Sequence, residues 1–198
     1  MKSICVFCGS SPGLTSDYIE AAKLLGTTLA KRNITLIYGG AKVGLMGQLA
    51  KSCIDSCGEV IGVIPKHLVD KEVAFEGISQ LLVVDSMHER KNKMAELSDG
   101  FIALPGGMGT LEELCEILTW AQLNLHQKPC GILNIGGYYN QLIQFLDHSV
   151  EQKFMEKEHR DMILVDQNPD SLLDKFEFYQ PPVTNKTKWA LQLTENIE

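Results

Sequence analysis

No apolar run in the chain approaches the roughly 20 residues that a helix needs to cross a bilayer. The opening stretch, Met1-Lys2-Ser3-Ile4-Cys5-Val6-Phe7-Cys8-Gly9-Ser10, lacks the long apolar core and small-residue cleavage site of a secretory signal. A cytoplasmic location with no membrane partner is therefore expected. Positive charge is in short supply: 18 Lys+Arg face 25 Asp+Glu, a net charge of -7. Such a chain repels nucleic acid at long range, so no nucleic-acid partner is expected, although a local site can still hold one small anion. No turn reads GxxxxGK[ST], and GxGxxG is missing from the first strand–helix turn, where a dinucleotide fingerprint belongs. Internal repeats and low-complexity segments are absent too. Of six cysteines, Cys5 and Cys8 form a lone CxxC inside a probable strand, and no second CxxC or HxxxH completes a zinc site. Reduced, mostly buried thiols and no metal are expected.

What is present is an ordinary globular mix: 198 residues, 44% hydrophobic and 22% charged. That length suits one domain, large enough to fold without disulfides or metal. Strand-length apolar runs alternate with helix-period stretches. Strands are predicted at Ile4 to Cys8, Thr35 to Tyr38, Val60 to Ile64, Leu81 to Val84, Phe101 to Leu104, Gly131 to Ile135 and Ile163 to Val165. Helices are predicted at Asp17 to Lys31 with Ser16 as N-cap, Leu45 to Ser56, Met87 to Leu97, Thr110 to Leu125, Tyr138 to Val150 and Pro169 to Tyr179. The stretch Lys66 to Ser79 is irregular and charged. Continuous apolar strands separated by helices imply a parallel sheet covered on both faces, a doubly wound, Rossmann-like α/β fold. Residues 1–182 form the expected single domain, and 183–198 a loosely held polar tail.

In such folds ligands bind at the C-terminal ends of the strands. Three glycine-rich turns fall there: Cys8-Gly9-Ser10-Ser11-Pro12-Gly13, Gly39-Gly40-Ala41-Lys42-Val43-Gly44-Leu45-Met46-Gly47 and Pro105-Gly106-Gly107-Met108-Gly109-Thr110-Leu111-Glu112-Glu113. Glycine lets backbone N–H groups approach a ligand, and a helix starting there adds its positive dipole end, so a phosphate is the natural guest. A tight connection is the plain alternative, weakest for the third turn, which carries a hydroxyl and two carboxylates. A further group, Ser86-Met87-His88-Glu89-Arg90-Lys91, opens the helix after the fourth strand. Arg90 and Lys91 fall where the helix dipole disfavours positive charge. Either an anionic partner or a solvated basic patch follows from that placement. His88 reads as structural rather than catalytic.

These motifs together resemble the LOG ("Lonely Guy") family, cytokinin riboside 5'-monophosphate phosphoribohydrolases often mislabelled as lysine decarboxylases. Pro105-Gly106-Gly107-Met108-Gly109-Thr110-Leu111-Glu112-Glu113 matches the family's PGGxGTxxE, and Met87-His88-Glu89-Arg90-Lys91 its Met-His-x-Arg-Lys signature. Phe7-Cys8-Gly9-Ser10-Ser11 and Tyr38-Gly39-Gly40 with Gly44-Leu45-Met46-Gly47 resemble its first two turns. The likeness runs from about Ile4 to Pro182.

The resemblance implies hydrolysis of the N-glycosidic bond of a purine nucleoside 5'-monophosphate, giving free base and ribose 5-phosphate, by a homodimer without cofactor. It carries Glu113 and Arg90 over as catalytic residues. Substrate contacts are implied for Ser10, Gly40, Glu72, Arg90, Lys91, Gly106, Gly107, Met108, Gly109, Thr110, Glu112 and Thr119. Without it, Thr119 reads as a helix-packing residue. One departure stands at Ala41-Lys42, where the family usually has a third glycine and a small polar residue. Alanine resists positive φ, so this turn is expected to sit differently. Two rivals remain: a non-catalytic nucleotide-binding sensor on the same fold, and a pyridoxal-dependent decarboxylase, for which nothing marks a Schiff-base lysine.

Overall fold

The seven apolar runs become seven short strands, all paired in parallel, in a computed structural model that describes residues 1–69 and 74–182 together with Trp189, Leu191 and Thr194. The strands are β1 (Ser3–Phe7), β2 (Thr35–Tyr38), β3 (Val60–Pro65), β4 (Gln80–Val84), β5 (Gly100–Ala103), β6 (Cys130–Leu133) and β7 (Ile163–Asp166). The helices are α1 (Ser16–Lys31), α2 (Gly44–Asp55), α3 (Lys66–Val69), α4 (Met87–Glu96), α5 (Met108–Gln122), α6 (Asn140–Glu151), α7 (Lys157–Asp161) and α8 (Pro169–Glu177).

Side chains alternate along each strand, so both faces need cover. Ile4 and Val6 of β1 enter one core with Leu25 and Leu29 of α1, Leu45 and Leu49 of α2 and Leu172 of α8. Cys5 and Phe7 enter the other, with Met94 of α4, and Leu114 and Ile117 of α5. Each of the fully buried leucines stabilises the fold by about 1.5–3 kcal/mol. The expected doubly wound architecture is what forms.

Strand order is β4-β3-β2-β1-β5-β6-β7. It reverses between β1 and β5, and the crevice above their C-terminal ends is where such folds bind ligands. The first and third glycine turns leave the sheet at that point.

Several local expectations shift. The N-cap of α1 is Thr15, with Ser16 the first helical residue and no capping side-chain bond. The irregular stretch after β3 begins with one helical turn, α3, and the short α7 interrupts the run before β7. Ala41 does not carry a left-handed conformation. Gly40 and Gly44 take positive φ (77° and 57°), while Ala41 makes an isolated antiparallel bridge to Ala74. Cys5, Cys8, Cys53 and Cys130 are buried and Cys57 and Cys115 exposed, all six as free thiols. Among the described residues no helix is long and apolar enough to cross a membrane. The polar tail falls on residues 183–198, of which only Trp189, Leu191 and Thr194 are described.

Candidate active site

α4 begins after β4, and its N-cap is Ser86, whose hydroxyl accepts a hydrogen bond from the Glu89 N–H. The Glu89 carboxylate in turn accepts from the Asp85 N–H at 2.9 Å, so the first turn is held from both sides. That fixed start delivers Arg90 inward. It is only 8% exposed, and its Nε donates to the Val63 carbonyl within β3 at 3.1 Å. Its Nη1 donates to Glu113 Oε1 at 2.8 Å. Glu113, also 8% exposed, projects from α5. The solvated-patch alternative for Arg90 is thereby excluded.

A glycine makes this approach possible. A Cβ on Gly39 would stand 2.3 Å from Arg90 Nη2. The guanidinium passes where a side chain would otherwise sit, so the second turn supplies a gap as well as a bend. Gly40, by contrast, does not face the cavity: a Cβ there would meet Ile64 and Leu81.

The cavity beside the pair holds about 270 Å³. Gly9 and Ser10 form one wall, Gly107, Met108, Gly109 and Thr110 another, and Arg90, Glu113, Gly39 and Met46 the remainder, with the Cys8 thiol among them. A second cavity of about 270 Å³ shares Gly9, Ser10 and Gly107 and extends past Gly106 to Tyr18, Leu45 and Tyr138.

α5 starts at Met108 without a side-chain cap. Leu111 N–H donates to the Gly107 carbonyl, the first bond of the helix. The N–H groups of Gly106 to Thr110 have no acceptor among the described residues. Gly107 to Thr110 line this cavity and Gly106 the adjoining one, and free N–H groups at a helix start suit a phosphate. A Cβ on Gly106 would lie 2.1 Å from the Thr110 hydroxyl oxygen and 2.9 Å from the Gly9 nitrogen, so only glycine lets the first and third turns close on each other.

Electrostatics mark the pair further. Burial lifts the Glu113 carboxyl above its usual range, against the pull of Arg90. Burial also drives the Cys8 thiol well up, with Glu113 adding to it and Arg90 opposing, so this thiol stays neutral beside the carboxylate. A buried ion pair of this kind contributes little net stability, because desolvation offsets the attraction. Its place in a cavity wall is better accounted for by chemistry.

The remaining expected residues divide. Lys91 faces away from the cavity and bonds Glu112 and Glu116, linking α4 to α5 on the outside. Thr119 is exposed and its hydroxyl donates to the Cys115 carbonyl. Lys42 is exposed and lines a separate hollow with Val69, Ala74 and Glu76. His88 is exposed. Glu72 lies outside the described residues. Sequence reasoning missed the cavity roles of Gly39, Met46 and Cys8 and the partner Glu116. Only the spacing of Glu112, Glu113 and Glu116 on one helix could have raised the last.

Comparison with known proteins decides the family. The family model described as "Possible lysine decarboxylase" matches residues 46–176. A cytokinin riboside 5'-monophosphate phosphoribohydrolase of Arabidopsis thaliana is 48% identical over 192 residues, covering 96% of this chain and 89% of the relative. A relative from Oryza sativa subsp. japonica, named a probable enzyme of the same activity, is 47% identical over 194 residues, covering 96% of this chain and 78% of its own length. The chain belongs to the LOG family. Among solved structures, a molybdenum cofactor binding protein of Rippkaea orientalis superposes with a TM-score of 0.69 at 22% identity, covering 90% of this chain and 97% of that one. At that identity the likeness speaks for the Rossmann-like fold alone. The LOG relatives are phosphoribohydrolases by name. In this chain Arg90 and Lys91 join α4 to α5 through Glu113 and Glu112.

Proposed function

We propose that this LOG-family chain hydrolyses the N-glycosidic bond of a purine nucleoside 5'-monophosphate, releasing the base and ribose 5-phosphate. The carrying observation is the Arg90–Glu113 pair in a cavity wall beside five unpaired N–H groups. Phosphate docks on Gly106 to Thr110 and fixes the ribose. As the C1'–N bond breaks, its electron pair leaves with the base and positive charge grows at C1'. The Glu113 carboxylate stabilises that charge and accepts a proton from the attacking water, whose oxygen bonds to C1'. The departing base takes up one proton. Arg90 holds Glu113 in place and offers its remaining donors to the substrate.

The base is adenine or an N6-prenylated adenine. A product assay across AMP, isopentenyl-AMP, GMP, CMP and adenosine separates these. Free base from a purine monophosphate, with adenosine poor, is expected. Tight binding of AMP with no base released would favour a sensor protein instead.

The homodimer is assigned to the outer face of α5, where Met108, Glu112, Cys115, Thr119 and Leu123 recur at helical spacing and are exposed. On this reading Lys91, Glu112 and Thr119 reach a substrate only through such pairing. Light scattering should give twice the chain mass for the wild type and the chain mass for Leu123→Lys.

A further inference from the structure

The phosphate turn is fixed from behind by carbonyl groups, and the sources of that restraint are unusual. Four successive carbonyls are held. Leu104 O accepts from the Tyr139 hydroxyl at 2.7 Å, Pro105 O from the Gly9 N–H at 3.0 Å, Gly106 O from the Tyr138 hydroxyl at 2.7 Å and Gly107 O from the Leu111 N–H at 3.1 Å. Two of the four donors are therefore hydroxyls of adjacent tyrosines between β6 and α6.

A trans peptide is planar, so its N–H points opposite its C=O. Anchoring the Gly106 carbonyl thus sets the direction of the Gly107 N–H, and anchoring the Leu104 carbonyl sets the peptide that enters the turn. The tyrosines are themselves well held. Tyr139 is 1% exposed, and its N–H donates to Asn134 Oδ1 at 2.8 Å. The Asn134 amide reaches Asn140 Oδ1 at 2.8 Å, and its own N–H bonds the Asp166 carbonyl on β7. The two rings meet edge-on at 89°, which lets neighbouring residues serve carbonyls two positions apart. Glycine-rich backbone has no side chains to limit its conformations, so this outside restraint is what holds the N–H groups in one orientation before a ligand arrives.

We propose that Tyr138 and Tyr139 are positioning residues that pre-orient the Gly106–Thr110 N–H groups for the 5'-phosphate, a role that rests on the phosphate docking given above. Each acts through the turn.

The test compares kcat/KM for AMP and for adenosine in the wild type, Tyr138→Phe and Tyr139→Phe. Losing one such hydrogen bond is expected to lower kcat/KM for AMP by about five- to tenfold in each variant. The value for adenosine, which has no phosphate to dock, should stay within a factor of two or so of wild type. A merely structural role would lower both substrates together, and that result overturns the proposal. An unchanged AMP preference in Tyr138→Phe overturns it as well. Tyr138 is 43% exposed, so its variant should fold and decides the matter even if Tyr139→Phe does not. A wild type with no preference for AMP over adenosine would overturn the phosphate docking itself, and this inference with it.

Discussion

Arg90 and Lys91 are neighbours on one helix with equally covered side chains, and both bond glutamates of the same second helix, yet only Arg90 and its partner line the cavity. Arg90 and Glu113 face the cavity, buried, at 2.8 Å. Lys91 faces outward to Glu112 and Glu116, and Glu112 is more than half exposed. Consecutive helical residues diverge by about 100°, which is enough to send one inward and one outward. The Lys91 side chain is itself only 10% exposed, but water reaches Glu112 and part of Glu116, so this cluster is partly screened. The inner pair has lost that screening, and removing one member leaves the other buried and unpaired. On the proposed mechanism catalysis falls to the pair that costs most to keep, and the other fastens α4 to α5 within one chain.

The largest expected effect is on Glu113. Glu113→Gln keeps the shape and removes the charge, and should lower AMP turnover by about 10²–10³-fold in a protein that still folds, with a melting temperature shifted because Arg90 then lies buried without its counter-charge. Arg90→Lys follows, at about 10²-fold in kcat/KM, since one ammonium cannot serve the Val63 carbonyl, Glu113 and substrate in the same fork geometry. Gly39→Ala should cost about tenfold or more by displacing the guanidinium, although the new methyl meets only a side-chain end and folding should survive. Lys91→Ala and Glu116→Gln should sit at the bottom, within a few-fold and sensitive to added salt, read by steady-state assay at two ionic strengths. An equal loss for Lys91→Ala and Arg90→Lys would break the comparison.

Acid titration sharpens it. On the proposed mechanism Glu113 acts as a carboxylate, and burial raises its pKa against the pull of Arg90. Activity should therefore fall, as pH drops, at a pH above the ordinary glutamate value of about 4.3. The sign for stability is the reverse: a raised folded pKa gives stability that is present below the unfolded value and lost as pH rises through the folded one. Glu113→Gln should remove that loss, seen as a flatter melting profile between those two values.

The sheet was largely legible, because parallel strands buried on both faces read as short apolar runs broken by Gly and Pro. The Arg90 and Glu113 positions were legible through their motifs, and the misfit of Arg90 with the α4 dipole was a sound physical signal of an anionic partner. That the partner is Glu113 itself depends on how β4 and β5 are placed across the sheet, which no local pattern carries. Gly39 and Gly40 look alike in sequence, but the Arg90 side chain passes over Gly39 while Gly40 takes positive φ against Ile64 and Leu81. Tyr138 and Tyr139 gave no signal, since two tyrosines at the start of a predicted helix read as packing. Thr119 stands on an exposed face of α5, so its implied contact depends on a second chain.

The central claim is that the buried Arg90–Glu113 pair cleaves a nucleoside 5'-monophosphate. The most direct measurement follows adenine and ribose 5-phosphate released from AMP by wild type and Glu113→Gln, both shown to be folded by their melting curves. The wild type should release the two products in equal amounts, and the variant at least about a hundredfold more slowly. Equal rates from the two proteins, or no adenine from the wild type with any purine monophosphate, would contradict the account.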